Sequence, residues 1–434
     1  MQKAYLIKNN WDIFCKIVDN YGDIGVCWRL ARQLRSEQGL KIRLWINDVE
    51  TAKKIITQLD VSIDNQICND IITTKWDENA DFSVAADVVI EAFGCDLPPA
   101  YLAAMVQKQS TWINLEYLSA EPWIDDFHAK SSPQVFSNAN SSLIRHFYFP
   151  GFTLKTGGLI REAYVATQLQ NQINANLQPL EYTQQPSLVN PRPQAGESAQ
   201  SRGRWATCVD LNAVPLSNLS FASEREAIKT EEESLKDAAL KISLFCYPNA
   251  PIYDLFDALQ ANNHAVHMYV PQSSILPKVA EFFGKELIQV GDKITQHKLI
   301  VEILPFLSQA DYDQLLRDCD LNFVRGEDSW IRAIWAGKPF IWQPYFQEEC
   351  THMIKLNAFL DLFYADCEQK QMICEAHRYW SAGQDSPDVF NALISATINT
   401  LDTIQIYTHL QAKNLAHQPD LASQLVKFSN AIAY

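Results

Sequence analysis

The amino-acid sequence predicts an α/β fold built from two Rossmann-like units. In residues 1 to 177, short apolar runs alternate with helical periodicity, which is typical of a parallel sheet with crossover helices. The alternation returns at about residue 238, after a polar stretch. A chain of 434 residues has room for two or three domains. We therefore expect two Rossmann-like domains facing a cleft.

In the first unit, four apolar runs predict buried strands and two amphipathic segments predict helices. The strands are expected at 11 to 18, 42 to 46, 86 to 93 and 111 to 115, and the helices at 24 to 37 and 99 to 107. Ligands of such folds bind at the carboxyl ends of the strands, where loops lead into helices. The turn after the first strand is therefore a candidate site.

The second unit shows the same pattern and ends in helices. Strands are expected at 242 to 247, 265 to 270, 299 to 304, 321 to 324 and 340 to 342, and helices near 251 to 261, 275 to 283, 310 to 317 and 328 to 336. Beyond 349 the chain has the pattern of successive amphipathic helices. The last of them, LASQLVKFSNAIAY, is expected to pack back on the first unit.

Residues 178–237 lack both kinds of periodicity. The stretch TQQPSLVNPRPQAGESAQSRGRW is rich in Pro, Gln, Ser and Gly and has few core-forming residues. We interpret it as a linker or insertion between an N-terminal domain, 1–177, and a C-terminal domain, 238–434.

Charge and cysteine content limit the classes of partner. The net charge of −15 disfavours a general affinity for nucleic acid or anionic membranes and suits a cationic substrate. Ten cysteines occur singly, without a Cys-x-x-Cys pair, which fits a reducing compartment. The N-terminal residues MQKAYLIKNNWDIF have no secretory hydrophobic region, and no segment approaches the ~20 apolar residues that span a bilayer. We expect a cytoplasmic protein without nucleic-acid or membrane partners.

Two carboxylates flank the turn after the first strand. Asp19 and Asp23 lie on either side of Asn20-Tyr21-Gly22. One interpretation is local: Asp23 caps the helix beginning near Ile24 while Asp19 hydrogen-bonds its own turn. The other is that both contact a ligand. Gly22 and Gly25 permit close approach of a backbone, but they do not form the Gly-x-Gly-x-x-Gly motif of nicotinamide cofactors.

A second charged turn precedes the helix expected at 328 to 336. Backbone N–H groups at the start of that helix are suited to holding a diphosphate, aided by the helix dipole. No Asp-x-Asp metal motif accompanies the turn. The alternative is structural, with Asp328 or Ser329 as the N-cap and Arg325 paired to Glu327 on the surface.

Several long strings resemble the bacterial protein-arginine rhamnosyltransferases that modify elongation factor P, the EarP family. The strings are VDNYGDIGVCWRLARQL, INLEYLSAEPW, YFPGFTLKTGGLIRE, SLFCYPNAP, LPFLSQADYDQLL and LNFVRGEDSWIRAIWAGKPFIWQPYFQ. The resemblance covers most of the chain. The polar stretch 178–237 is longer than the resemblance leads us to expect.

The resemblance implies a GT-B glycosyltransferase fold, with dTDP-β-L-rhamnose as co-substrate and elongation factor P as acceptor. It implies neither a metal nor a cofactor. It assigns catalytic carboxylates to Asp19, Asp23 and Glu327. The substrate-binding residues that we expect are Asn20, Tyr21, Gly22, Tyr247, Phe306, Gln309, Arg325, Gly326, Asp328 and Ser329.

The acceptor of such a reaction is a guanidinium, a poor nucleophile that stays protonated. Asp19 and Asp23 can orient it and accept its proton, and a single displacement on a β-linked donor inverts the sugar. Glu327 orients either the sugar or the guanidinium, and the sequence leaves this open. Two alternatives remain: a nucleotide-sugar epimerase or glycosyltransferase with another acceptor, and a non-catalytic binding module.

Overall fold

A computed structural model describes residues 8–18, 21–135, 142–176, 239–382 and 386–432. The predictions for Asp19, Asn20 and the linker 178–237 concern residues outside these ranges. So do the predicted boundaries at 177 and 238, and the division into domains there stays a prediction. Residues up to Leu169 and from Ala239 onward belong to one compact unit.

The first sheet is largely parallel. Its eight strands are β1 (Asn10–Cys15), β2 (Lys41–Ile46), β3 (Asn65–Cys68), β4 (Ile71–Lys75), β5 (Val88–Ala92), β6 (Thr111–Leu115), β7 (Ser131–Val135) and β8 (Ser142–Tyr148), in the spatial order β3-β4-β2-β1-β5-β6-β8-β7. Only the outer pairs β3/β4 and β7/β8 are antiparallel. The central strand β5 is buried along its whole length, which explains its continuous apolar run.

Five helices connect these strands or follow them: α1 (Gly22–Gln38), α2 (Val49–Ile55), α3 (Pro99–Lys108), α4 (Ile124–Phe127) and α5 (Ala163–Asn176). The strands and helices predicted for the first unit are all confirmed, although β1 ends at Cys15, before the predicted end at 18. The outer strand pairs were not predicted, because short strands with partly exposed side chains give no continuous apolar run.

The second sheet has six strands. They are β9 (Leu240–Leu244), β10 (Val266–Pro271), β11 (Lys293–Gln296), β12 (Leu299–Leu304), β13 (Leu321–Arg325) and β14 (Phe340–Gln343), in the order β11-β12-β10-β9-β13-β14. The predicted helices are α6 (Ile252–Ala261), α7 (Leu276–Phe282), α8 (Gln309–Asp318) and α9 (Asp328–Ala336). Only the edge strand β11 runs antiparallel to its neighbour.

Helices follow the second sheet to the end of the described chain: α10 (Thr351–Phe363), α11 (Lys370–Ala382), α12 (Pro387–Asn399), α13 (Leu401–Ala416) and α14 (Leu421–Ala431). The last helix packs on the first half, as predicted. Leu421 N donates to Leu159 O at 2.9 Å, and Gln33 Nε2 donates to Asp420 Oδ1 at 3.0 Å. Every helix among the described residues is too short or too polar to span a bilayer.

The two α/β sheets confirm the GT-B fold class. Carboxyl ends of strands from both sheets border one cavity, with Tyr21 after β1 and Tyr247 after β9 among its lining residues. The rings of Trp330 and Trp342 stack 3.7 Å apart in the core behind the turn that precedes α9. This buried stack gives the turn a rigid support.

Candidate active site

The cavity at the carboxyl ends of the strands has about 650 Å³ of empty space and is open to solvent. Nine of the residues predicted to bind substrate line it, namely Tyr21, Gly22, Tyr247, Phe306, Gln309, Arg325, Gly326, Asp328 and Ser329. They come from both halves of the chain. The structure therefore brings the two charged turns of the sequence to one place.

Two hydrogen bonds to the neighbouring strand β14, one to its backbone and one to a side chain, hold the turn before α9. Gly326 N donates to Gln343 O at 3.0 Å, and the indole Nε1 of Trp342 donates to Gly326 O at 2.7 Å. Gly326 has a left-handed backbone, with φ of 59°, which glycine adopts without strain. Ser329 Oγ bonds both backbone groups of Arg325, so its hydroxyl closes the turn.

Arg325 is buried beside the cavity and does not pair with Glu327 on the surface, so that alternative is wrong. Its guanidinium carbon lies 4.3 Å from the centroid of Phe245 and 4.6 Å from that of Tyr247. Its Nη1 donates to Cys246 O at 3.0 Å. A buried cation is therefore fixed at the wall of the cavity.

Aromatic rings from both halves meet at the cavity. Phe306, which is partly exposed, lies edge-on to Tyr21 with centroids 4.9 Å apart. Tyr247 is 8% exposed and packs edge-on to Tyr345 at 5.6 Å. Since both Phe306 and Tyr247 border the open space, each is positioned to offer a ring to a planar ligand.

Asp328 lies at the centre of a buried ionic network that joins the two halves. Its carboxylate pairs with Arg29 of α1 and with Arg332 of α9, each at 2.9 Å. Arg29 also forms two bonds with Glu162, at 2.8 and 2.7 Å. Arg332 in turn pairs with Asp313 at 2.8 Å. The predicted nucleotide contact Asp328 therefore has an internal structural role, and its carboxylate is already engaged.

The network lowers the pKa of two of its carboxylates, Asp328 and Glu162. Burial alone would raise the pKa of Asp328, but the charges of Arg332 and Arg29 outweigh burial and lower it. Burial also opposes ionisation of Glu162, yet Arg29 lowers its pKa to about 2. Both groups are thus held as anions that balance buried guanidinium groups.

Gly25 allows the close approach of Asp328 to helix α1. A Cβ atom at Gly25 would lie 3.0 Å from Asp328 Oδ2, closer than ordinary van der Waals contact. Gln309 Nε2 donates to Gly25 O at 3.2 Å and to Asp328 Oδ2 at 3.3 Å. Gly25 therefore allows close contact between the two halves of the chain.

Asp23 and Glu327 form an acidic pair from opposite halves. Burial raises the pKa of Glu327, and the Asp23 charge adds to this, whereas Lys355 opposes it through a 2.9 Å ion pair. Asp23 is buried and accepts from Val18 N at 2.7 Å and from Tyr117 Oη at 3.3 Å. Asp23, Glu327 and Lys355 therefore form a cluster of charged groups next to Gly22 and Gly326 of the cavity.

The capping alternative for Asp23 is wrong. Helix α1 begins at Gly22, and Tyr21 at its N-cap makes no side-chain capping bond. Asp23 therefore lies inside the first turn, while its bond to Val18 N closes the preceding loop. At α9 the N-cap is Glu327, again without a side-chain capping bond, so Asp328 and Ser329 are not caps.

Sequence reasoning missed several charged residues of the site: Arg29, Glu162, Asp313, Arg332 and Lys355. Arg29 gives a weak signal, because it interrupts the apolar pattern of VCWRLARQL. Glu162 gives none, since nothing near it in the sequence indicates its partner.

Three comparisons relate the chain to known proteins. The family described as "Elongation-Factor P (EF-P) rhamnosyltransferase EarP" matches residues 11–199 and 216–430. A protein-arginine rhamnosyltransferase of Pseudomonas putida is 36% identical over 426 residues, covering 97% of this chain and 99% of that protein. The protein of the same name from Pseudomonas aeruginosa is 36% identical over 423 residues, covering 96% of this chain and 98% of that protein.

A solved structure shows the same arrangement. It is described as "Structural basis for EarP-mediated arginine glycosylation of translation elongation factor EF-P" and superposes with a TM-score of 0.58 at 28% identity. The match covers 98% of this chain and 99% of that one. The likeness therefore extends over both sheets.

Proposed function

The chain belongs to the EarP family of EF-P rhamnosyltransferases and is a glycosyltransferase, and on this premise we propose which groups it joins. It moves L-rhamnose from dTDP-β-L-rhamnose to an arginine side chain of elongation factor P, with inversion at the sugar carbon. A translation factor as acceptor means that the reaction takes place in the cytoplasm.

The observation that carries this proposal is that two unlike surfaces share the same two turns, because Asp23 follows Gly22 of the cavity and Glu327 lies between Gly326 and Asp328 of the cavity. Aromatic rings and the buried Arg325 line the cavity, which suits a nucleoside diphosphate. The charge of Asp23 contributes to the raised pKa of Glu327, so the two carboxyl groups lie near each other, and such a pair suits a cation. An anionic donor and a guanidinium acceptor are the substrates that these surfaces fit together.

The chain's own residues account for each step. Asp19 and Asp23 bind the acceptor guanidinium, turn one nitrogen toward the sugar carbon and accept its proton as the C–N bond forms. The C–O bond to the diphosphate breaks in the same displacement. Charge that develops on the departing dTDP is stabilised by Arg325 and by backbone N–H groups at the start of α9. Glu327 contributes the second anionic side of the guanidinium site.

Intact-mass spectrometry of elongation factor P incubated with the enzyme and dTDP-β-L-rhamnose tests the proposal. We expect one added deoxyhexose, and none after the modified arginine is replaced by lysine. A donor changed without any acceptor would instead indicate an epimerase. An unchanged donor and acceptor, with binding of both, would indicate a binding module.

Replacing Tyr247 or Phe306 by Ala should weaken dTDP binding by about 1 to 3 kcal/mol each, the range for stacking of a base on an aromatic ring. Calorimetric titration with dTDP measures the effect, and thermal melting shows whether the variants fold. Tyr253→Ala, on α6, is a control whose ring packs on Phe282 and does not line the cavity. Unchanged dTDP affinity in a folded Phe306→Ala protein would show that Phe306 has only a structural role.

Transfer should persist in excess chelator, because Arg325 and the N-terminus of α9 supply the positive charge at the diphosphate. Two Asp-x-Asp sequences come before β13. Asp311-Tyr312-Asp313 lies inside α8, where Asp313 already pairs with Arg332 at 2.8 Å. Asp318-Cys319-Asp320 precedes the strand and so lies at the end opposite to Arg325. Initial rates with and without chelator test this. Activity that is lost and then restored only by magnesium or manganese would contradict the proposal.

A further inference from the structure

Two stacked aromatic rings lie at the same sheet edge as the acidic pair. The rings of Phe93 and Tyr117 have centroids 4.4 Å apart and planes 12° apart. Phe93 follows β5 and Tyr117 follows β6, and β5 is the direct neighbour of β1 in the sheet. Because the carboxyl ends of parallel strands share one edge, these rings lie beside the turn that carries Asp23.

The contacts of Tyr117 connect this stack to both carboxylates. Its Oη donates to Asp23 Oδ1 at 3.3 Å. The next residue, Leu118, borders a small cavity together with Phe93 and Glu327. Tyr117 and Leu118 thus place one ring next to two anionic groups.

A cation already contacts this surface. Lys355 Nζ lies 5.4 Å from the centroid of the Tyr117 ring and 2.9 Å from Glu327 Oε1. A face of an aromatic ring together with a carboxylate is a favourable site for a cation, with attraction extending to about 6 Å from the ring centroid. The intramolecular ammonium shows that the surface around Tyr117 and Glu327 accommodates positive charge.

The stack is maintained at a conformational cost and stays open to solvent. Phe93 has a left-handed backbone with φ of 58°, which is a strained conformation for a bulky side chain. Phe93 N donates to Leu115 O at 2.7 Å, and Gly94 N donates to Asn114 Oδ1 at 3.2 Å, which hold the turn. Tyr117 is nevertheless 37% exposed. Strain of this kind concentrates at binding sites.

We propose that the Phe93–Tyr117 pair is the surface that positions the acceptor arginine, with the guanidinium against the Tyr117 ring and its N–H groups directed to Asp23 and Glu327. A guanidinium is planar, so its face can stack on a ring while its edges donate to carboxylates. An ammonium has no such plane. The inference rests on the proposed function, in which arginine is the acceptor.

A double-mutant cycle between Tyr117 and the acceptor arginine tests the proposal. The ligands are elongation factor P and its variant in which the arginine modified by the wild-type enzyme is replaced by Ala. Tyr117→Leu should weaken binding of the unaltered factor roughly 5- to 30-fold, the range for a cation on an aromatic face. Tyr117→Leu should change binding of the Ala variant by less than about twofold, because the free-energy effects of substitutions that do not interact add within about that margin.

Two further variants separate the ring from its hydroxyl and from general packing. Tyr117→Phe keeps the ring and removes only the bond to Asp23 inside the enzyme, so affinity for the unaltered factor should change by less than about twofold. Phe93→Leu removes the ring stacked on Tyr117. It should also weaken binding of the unaltered factor, but less than Tyr117→Leu does. Tyr269→Leu, whose ring stacks on His267 at 4.4 Å in the second sheet, should leave all affinities unchanged.

Three results would overturn the inference. One is equal weakening of both acceptor forms by Tyr117→Leu and Phe93→Leu, which would show a structural role. Another is an acceptor affinity that does not change in either variant. The third is weaker dTDP binding alone, which would assign the stack to the donor. Failure of the proposed function is distinct, because wild-type enzyme would then leave elongation factor P unmodified, and both proposals would fall.

Discussion

Asp19→Asn and Asp23→Asn should each lower the rate of rhamnose transfer by ~10²- to 10⁴-fold, the usual cost of losing a general base. The substitution keeps the size and much of the hydrogen bonding of the side chain while it removes the charge that holds a guanidinium. Affinity for dTDP-β-L-rhamnose should be retained in both variants. Transfer is measured by mass spectrometry, and donor affinity by titration.

A matched control for these variants lies in the same sheet. Asp48 caps helix α2 at the turn after β2, where its side chain accepts from Thr51 N. Asp48→Asn makes the same chemical change at another strand-to-helix turn and should keep near wild-type transfer, because Asn is also a good N-cap. Near wild-type transfer by both Asp19→Asn and Asp23→Asn would show that these two carboxylates only hold the turn.

Arg29→Met should lower the free energy of unfolding by about 3 to 5 kcal/mol, the cost of removing one partner from a buried ion pair. The change leaves Glu162 and Asp328 buried without the guanidinium that balances them. Arg35→Met on the same helix is the control, since Arg35 is 38% exposed and reaches Asp70 only at 3.9 Å. It should cost no more than about 1 kcal/mol. Chemical denaturation of both variants measures the difference, and equal small losses would contradict the assigned role of the network.

The same network predicts a dependence of stability on pH. The pKa of Glu162 in the folded protein, about 2, is lower than the value of about 4.3 in an unfolded chain. Its contribution to stability is therefore fully present above the unfolded pKa and is lost as the pH falls through the folded pKa. Removing Arg29 raises the pKa of Glu162, so Arg29→Met should lose less stability than wild type between about pH 4.5 and 2.

Long apolar runs made most of the fold predictable. The limits of β6, β12 and α9 agree with the sequence, because each is a regular apolar or amphipathic segment bounded by turn residues. The edge strands β3 and β7 escaped prediction. In β3 only Cys68 is buried, so its pattern has no continuous apolar run.

The sequence predicted site residues only where a single side chain, by its chemistry and its position at a turn, indicates a function. Asp23 and Glu327 drew attention as carboxylates at strand-to-helix turns, and they meet in the fold. The sequence shows that Gly25 permits close approach, but not that the approaching group is Asp328. Phe93 and Tyr117 gave no signal, because an aromatic residue after a strand is usually core and only the order of strands places both beside β1.

The anomeric configuration of the product, measured by NMR spectroscopy on a rhamnosylated peptide cut from elongation factor P, tests the proposed displacement most directly. Attack by an arginine nitrogen activated by Asp19 and Asp23 on a β-linked donor predicts an α-linked rhamnosyl-arginine, formed by the wild-type enzyme and not by Asp23→Asn. A β-linked product, or rhamnose on any other side chain, would contradict it.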